Sequence, residues 1–126
     1  MSIQHSVSHL SEVSGKEMSS VVFISDYIQL IFEEDYKETM IFTAFTLPTI
    51  RAGSSFYIRS DISYCNILCS LINQTVTEID IEEGIAITLL FQSNIALEIS
   101  LKREANGGQE AAMFSSENGL TIWQLP

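Results

Sequence analysis

Positive charge is what this chain of 126 residues has least of: six Lys plus Arg stand against sixteen Asp plus Glu, for a formal charge of -10. A field of that sign repels phosphate backbones and anionic lipid, which excludes nucleic acid and membrane as expected partners. Histidine is scarcer still, at two residues. His5 and His9 both lie near the N-terminus and Gly-x-Ser-x-Gly does not occur, so no nucleophile with a positioned base can be named and the chain reads as non-enzymatic. Apolar runs stay far below the roughly 18 to 20 residues of a membrane-spanning helix, and MSIQHSVSHL has neither the basic nor the apolar stretch of a secretory leader. Two cysteines, Cys65 and Cys69, are fewer than a secreted domain of this size carries. The expected location is therefore cytoplasmic.

Cofactor signatures are missing too. The acidic tips lack the alternating ligand ladder of a calcium loop, and Asn106-Gly107-Gly108 lacks the lysine and strand-to-helix setting of a phosphate cradle. The His5-x-x-x-His9 spacing has no third ligand, so neither metal nor cofactor is expected.

What the chain does have is apolar content, 46% of residues, enough for the core of one domain. Residues 71–101 organise it as three antiparallel strands that bury a shared face. Ile87, Leu89 and Phe91 alternate with Thr88 and Leu90, and Ile95, Leu97 and Ile99 alternate with Ala96 and Glu98. A three-residue loop Gln92-Ser93-Asn94 pairs Leu89 with Leu97 and Ile87 with Ile99, whereas a one-residue slip would bury Glu98. The same reasoning applied to a loop Glu82-Glu83-Gly84 pairs Ile81 with Ile85 and Ile79 with Ile87. On that strand, alternation turns Thr77, Ile79 and Ile81 to the core and leaves Val76, Glu78 and Asp80 on the wet face.

Upstream, residues 1–20 are polar and aperiodic and read as a flexible arm, with a single β-rich domain over residues 21–126. Strands are expected at 21–24 and 27–32, then an acidic tip, then a central strand at 39–47 with apolar residues on both faces. Pro48 stops it, and residues 51–55 read as loop before a short strand at 56–59. Tyr64, Ile67, Leu68 and Leu71 recur at helical spacing, giving one helix over about residues 60–72, capped at Ser60-Asp61 and stopped by a left-handed Asn73. Cys65 and Cys69 share a face of it and read as small buried hydrophobes. A last hairpin turns at Asn118-Gly119, placing Phe114 opposite Trp123, or opposite Ile122 if Glu117 joins the loop. Ile28-Gln29-Leu30-Ile31-Phe32 echoes Ile87-Thr88-Leu89-Leu90-Phe91, which reads either as pseudo-symmetry or as the chance likeness of alternating strands. The sum is a mainly β, α+β domain: a bent antiparallel sheet closing toward a sandwich or a partly open barrel, with one helix laid across it.

For function, acidity points to a non-enzymatic module that binds a basic protein through Glu33, Glu34, Asp35, Glu78, Asp80, Glu82 and Glu83. The alternative is a small-molecule-binding β-barrel whose interior is lined by Phe42, Phe45, Leu89 and Phe91. The uncharged segment 119–125 needs a cover for its open edge. That cover is either residues 21–24, which would close the barrel, or a second copy in a homodimer. The run Leu71-Ile72-Asn73-Gln74-Thr75-Val76, the hairpin element Phe91-Gln92-Ser93-Asn94 and the closing Asn118-Gly119-Leu120-Thr121-Ile122-Trp123 together resemble a group of small bacterial β-rich proteins of unknown function. Some of these look like immunity partners of secreted toxins. The resemblance spans residues 21–126, implies a partner-binding role and carries over no functional residue.

Overall fold

The computed structural model describes residues 9–34, 38–102 and 110–124. Its elements are a 3-10 helix (Ser11–Val13), strands β1 (Met18–Ile24), β2 (Tyr27–Glu34), β3 (Glu38–Ala44), β4 (Thr49–Ala52) and β5 (Ser55–Tyr57), helix α1 (Tyr64–Ser70), then β6 (Val76–Glu82), β7 (Ala86–Phe91), β8 (Ile95–Ser100), β9 (Glu110–Ser116) and β10 (Gly119–Gln124). The strands form two antiparallel five-stranded sheets, ordered β1-β2-β3-β9-β10 and β5-β4-β8-β7-β6. The fold is a β-rich sandwich with one helix and not a closed barrel.

Strand order reveals a pseudo-two-fold repeat. Each half of the chain lays down a three-stranded meander, β1-β2-β3 or β6-β7-β8, and then sends its following hairpin, β4-β5 or β9-β10, to extend the other half's sheet. The inward rows correspond strand for strand: Val21, Leu30, Phe42, Phe114 and Thr121 cross the first sheet, while Ile79, Leu89, Leu97, Ile50 and Tyr57 cross the second. The echo between Ile28–Phe32 and Ile87–Phe91 is thus a structural equivalence of β2 and β7. Both first strands also carry a bulge near their start, after Met18 and after Val76, each of which is buried.

The sheets are joined at the corner where the two repeats meet. Glu17 and Thr75 form an antiparallel bridge. Around it Met18 N–H donates to Gln74 and Val76 N–H to Lys16 (3.0 and 2.9 Å), while Asn73 N–H donates to Met18 and Gly15 N–H to Val76 (2.7 and 2.8 Å). Asn73 and Gly15 take equivalent left-handed conformations, φ 75° and 85°. Gly holds that conformation without a Cβ penalty and Asn tolerates it better than other residues with a side chain, so the sharp entry into each meander is written at those two positions.

Several expectations change against this frame. Residues 9–20 are not a loose arm: Leu10, Val13 and Met18 are fully buried in the common core, in the places that Leu68, Leu71 and Val76 take in the second half. Their apolar spacing is too sparse to register as a pattern, because a short plug needs only two or three anchors. Residues 1–8 lie outside the described set. Helix α1 is shorter than residues 60–72, since Asp61 does not cap it. The Asp61 carboxylate instead accepts from Ile58 N–H (2.7 Å), holding a turn ahead of Tyr64. Asn73 does stop the helical segment in the left-handed region. Cys65 is half-buried and Cys69 exposed, because Tyr64, Leu68 and Leu71 take the core-facing side. Arg51 and Ala52 belong to β4, not to a loop.

Register explains the rest. Pairing of β7 with β8 is as expected, Leu89 with Leu97 and Ile87 with Ile99. Between β6 and β7 it is shifted by two residues, Ile79 opposite Leu89 and Ile81 opposite Ile87. An even shift keeps every side chain on its face, so hydrophobic alternation cannot distinguish the two registers. The turn decides: Gly84 takes φ 75° in the middle of Glu83-Gly84-Ile85, and Ile85 N–H closes onto the Glu82 carbonyl. The bulge at Thr77 turns Val76 inward and leaves both Thr77 and Glu78 exposed. In the last hairpin Ser116 pairs with Gly119, so the loop is Glu117-Asn118 and Phe114 faces Thr121, neither of the expected partners. Gly119, at φ 144°, starts the strand there. β10 and β1 lie at opposite edges of one sheet, so residues 21–24 do not close a barrel over β10.

Burial of Leu10 has a measurable consequence. Leu10→Ala should lower the unfolding free energy by about 2 to 5 kcal/mol, the range for large-to-small core changes, whereas a solvated arm residue would shift it by less than about 0.5 kcal/mol. Urea denaturation followed by Trp123 fluorescence distinguishes the two.

Candidate functional site

The outer face of the second sheet collects most of the acidic candidates. Registers place Phe56, Arg51, Ala96, Leu90 and Glu78 in one row across it, and Thr49, Glu98, Thr88 and Asp80 in the next. Glu82 extends the line of Glu78 and Asp80 along β6, opposite Ala86. The middle of the face is low because Ala96 and Ala86 contribute little height, and both are buried. The acids rise on either side of this floor. Asp80 and Glu98 flank Thr88, about 10 Å apart by strand spacing. Glu78, Asp80, Glu82, Glu83 and Glu98 are exposed, and none makes an ion pair among the described residues. Arg51 is the cation at the far rim; with Glu78, Asp80, Thr88 and Leu90 it encloses a shallow depression of about 240 Å³. Glu98 was not among the expected contact residues. The correct β6–β7 register is what sets Asp80 and Glu98 in one row.

The other acidic tip is elsewhere. Glu33 is exposed on the outer side of the first sheet, where its carboxylate accepts a hydrogen bond from Thr39 (3.4 Å). Glu34 ends β2, and Asp35 lies outside the described residues. Glu33 and Glu78 therefore sit on opposite outer faces of the sandwich, and the seven expected acids do not form one surface. Among the described residues no group of three or more His, Cys, Asp or Glu could hold a metal ion. His9 sits 3.6 Å from Glu12 against the β9–β10 turn, where Asn118 also donates to Glu12. His5 lies outside the described residues.

The first sheet's outer face has the opposite character. Its rows run Val22, Gln29, Thr43, Met113, Ile122 and Ser20, Ile31, Ile41, Ser115, Leu120, without a single charge. Leu120 and Ile122 are 57% and 38% exposed on the edge strand.

A third feature is an open cleft of about 740 Å³ at one end of the sandwich. The β1–β2 turn, the β3–β4 connection and the residues after β5 form its walls, with Ser100 at the end of β8. Phe45 is held by an aromatic contact with Tyr27, ring centroids 5.3 Å apart. Pro48 is held by Tyr64, whose buried hydroxyl donates to its carbonyl. Phe42, Leu89 and Phe91 are fully buried in the core, so only Phe45 of the four residues expected to line a barrel interior meets a solvent-open space. Compared with protein-family models, curated proteins and solved structures, the chain matches none. Among the described residues no helix is long and apolar enough to cross a membrane.

Burial pushes the Tyr64 phenol up to about 12, with the nearby Arg59 guanidinium pulling it partly back and Cys65 adding a little to the rise. The folded protein thus keeps a proton that the unfolded chain releases near pH 10. The stabilisation is complete below about pH 10 and is lost as pH rises toward about 12. Tyr64→Phe should cost about 1 to 3 kcal/mol at neutral pH by leaving the Pro48 carbonyl unpaired. The gap between the two proteins should narrow as pH climbs past 10, which denaturant titrations at a series of alkaline pH values would read.

Proposed function

We propose that this chain is a non-enzymatic, immunity-like binding module that acts in the bacterial cytoplasm and meets a basic protein partner with the acidic outer face of its second sheet. The observation that carries this reading is the pair of rows holding Glu78, Asp80 and Glu98 around a low floor of Ala96 and Ala86, with no cation among the described residues within ion-pair distance of the carboxylates. A flat sheet face is rigid, so Lys or Arg side chains arriving from a partner find carboxylates already in place and lose little further freedom on pairing. The long-range field of a chain with formal charge -10 speeds such an encounter. Free cysteines agree with a reducing compartment. Titration of the labelled protein with a lysine decapeptide should shift the amides of residues 78–82, 88 and 96–98. The apparent affinity should fall about tenfold between roughly 0.05 and 0.3 M salt. Asp80→Lys with Glu98→Lys should abolish those shifts while leaving the fold intact. Shifts confined to the β2–β3 tip, or binding that ignores salt, would overturn the assignment of this face.

The two uncharged rows on the outer face of the first sheet, with Glu33 beyond them at the β2–β3 tip, favour a second element of the same reading, a homodimer in which two copies bury these rows against each other. Pairing there leaves both acidic faces outward, so the strongest like-charge repulsion is avoided. Light scattering at about 50 μM should give roughly twice the 14.1 kDa chain mass, and Ile122→Lys should return it to the monomer value with a melting temperature that no longer depends on protein concentration. A wild-type monomer at that concentration rules the homodimer out.

A further inference from the structure

The cleft at the end of the sandwich carries an inference separate from the acidic face. Its walls are apolar where Phe45, Leu47, Pro48 and Ile58 meet, and Ile58 is 55% exposed there, leaving apolar surface open to a ligand. Two opposite charges also line it, Asp26 from the β1–β2 turn and Arg59 from the segment after β5. They do not pair with each other, and neither has an ion-pair partner among the described residues.

The pseudo-two-fold supplies an independent pointer. Thr46 follows β3 at the position that Leu101 takes after β8, and both are buried, Thr46 to 6% exposure. Where the second repeat places an aliphatic side chain, the first buries a hydroxyl, and that hydroxyl has no hydrogen-bond partner among the described residues. An unpaired buried hydroxyl destabilises the free protein relative to its apolar counterpart, and of the five buried polar side-chain atoms without a partner among the described residues, the one on Thr46 is the one whose residue lines the cleft. The cleft volume of about 740 Å³ falls within the range of small-molecule sites, roughly 300 to 1,000 Å³.

We propose that the cleft binds a small zwitterion with an apolar body, of the class of apolar or aromatic α-amino acids. Arg59 receives the carboxylate, Asp26 the ammonium group, Thr46 donates to a carboxylate oxygen, and Phe45 with Ile58 covers the side chain. A net-neutral ligand suits a chain whose overall negative charge would repel a simple anion. A simple cation would leave Arg59 unmatched.

Titration of the full chain with L-phenylalanine, 3-phenylpropanoate and 2-phenylethylamine, read by amide chemical shifts, tests this. L-phenylalanine should saturate one site, shifting residues 45–49 and 58–60, and each analogue that lacks one charge should bind about tenfold more weakly. Arg59→Gln should erase the preference over 2-phenylethylamine alone, and Asp26→Asn the preference over 3-phenylpropanoate alone. Thr46→Val should raise the melting temperature of the free protein while weakening L-phenylalanine, a combination that a purely structural threonine would not give. Absence of saturable shifts at the cleft up to about 20 mM, or equal binding of all three probes, overturns the proposal. The acidic-face variants leave this titration unchanged, so the two readings fail separately.

Discussion

The antiparallel pairing of residues 15–18 with residues 73–76 is the constraint on which the architecture depends. It lies on the pseudo-two-fold axis, and the four backbone hydrogen bonds that flank the Glu17–Thr75 bridge fall into two equivalent pairs. Two open five-stranded sheets could slide or splay if only apolar contact held them, since side-chain packing is weakly directional. Backbone pairing at one corner fixes their relative position. The segments that feed this corner, the 3-10 helix with Leu10 and Val13 and helix α1 with Leu68 and Leu71, plug the sandwich from equivalent directions. Exchange of the β4-β5 and β9-β10 hairpins then ties the halves together, because neither sheet is complete without strands from both.

Inside, the halves are chemically alike; outside, they are not. Facing rows of Leu30, Phe42 and Phe114 against Leu89, Leu97 and Ile50 make one continuous core. On the outer surfaces Val22 corresponds to Asp80 and Thr43 to Glu98, so at equivalent rows one repeat presents uncharged side chains and the other acidic ones. Burial does not dictate the difference, since the inner rows already form the core. It is the kind of difference that two separate surface roles would require.

Legibility in the sequence followed the strength of the physical penalty attached to each choice. Pairing of Leu89 with Leu97 was readable because the neighbouring register would have buried Glu98. The β6–β7 register was not, because a shift by two residues costs no burial and is settled by the geometry around Gly84, with Ile85 left 48% exposed in the turn. Outward placement of Glu78 and Asp80 was legible from alternation alone, while the bulge that reverses Val76 and Thr77 left no mark in composition. Leu10 and Val13 escaped notice for a related reason: their role is defined by equivalence to Leu68 and Leu71, and that equivalence becomes visible only once the strand order is known. The unlike character of the two outer faces was hidden in the same way, since the first sheet draws its rows from five strands scattered between residues 18 and 124.

Departures from the repeat are therefore more informative than the repeat itself. Where the halves agree, as at Met18 and Val76 or Gly15 and Asn73, a single demand of the shared fold accounts for both residues. Where they disagree inside the core, that demand accounts for only one of them. Thr46 is such a case, since its counterpart Leu101 fills the same kind of buried place without an unpaired polar atom. Stability alone would favour an aliphatic residue at both positions. The hydroxyl beside the cleft is retained against the preference of the fold, and local rules are broken in natural sequences most often where something other than stability is being served.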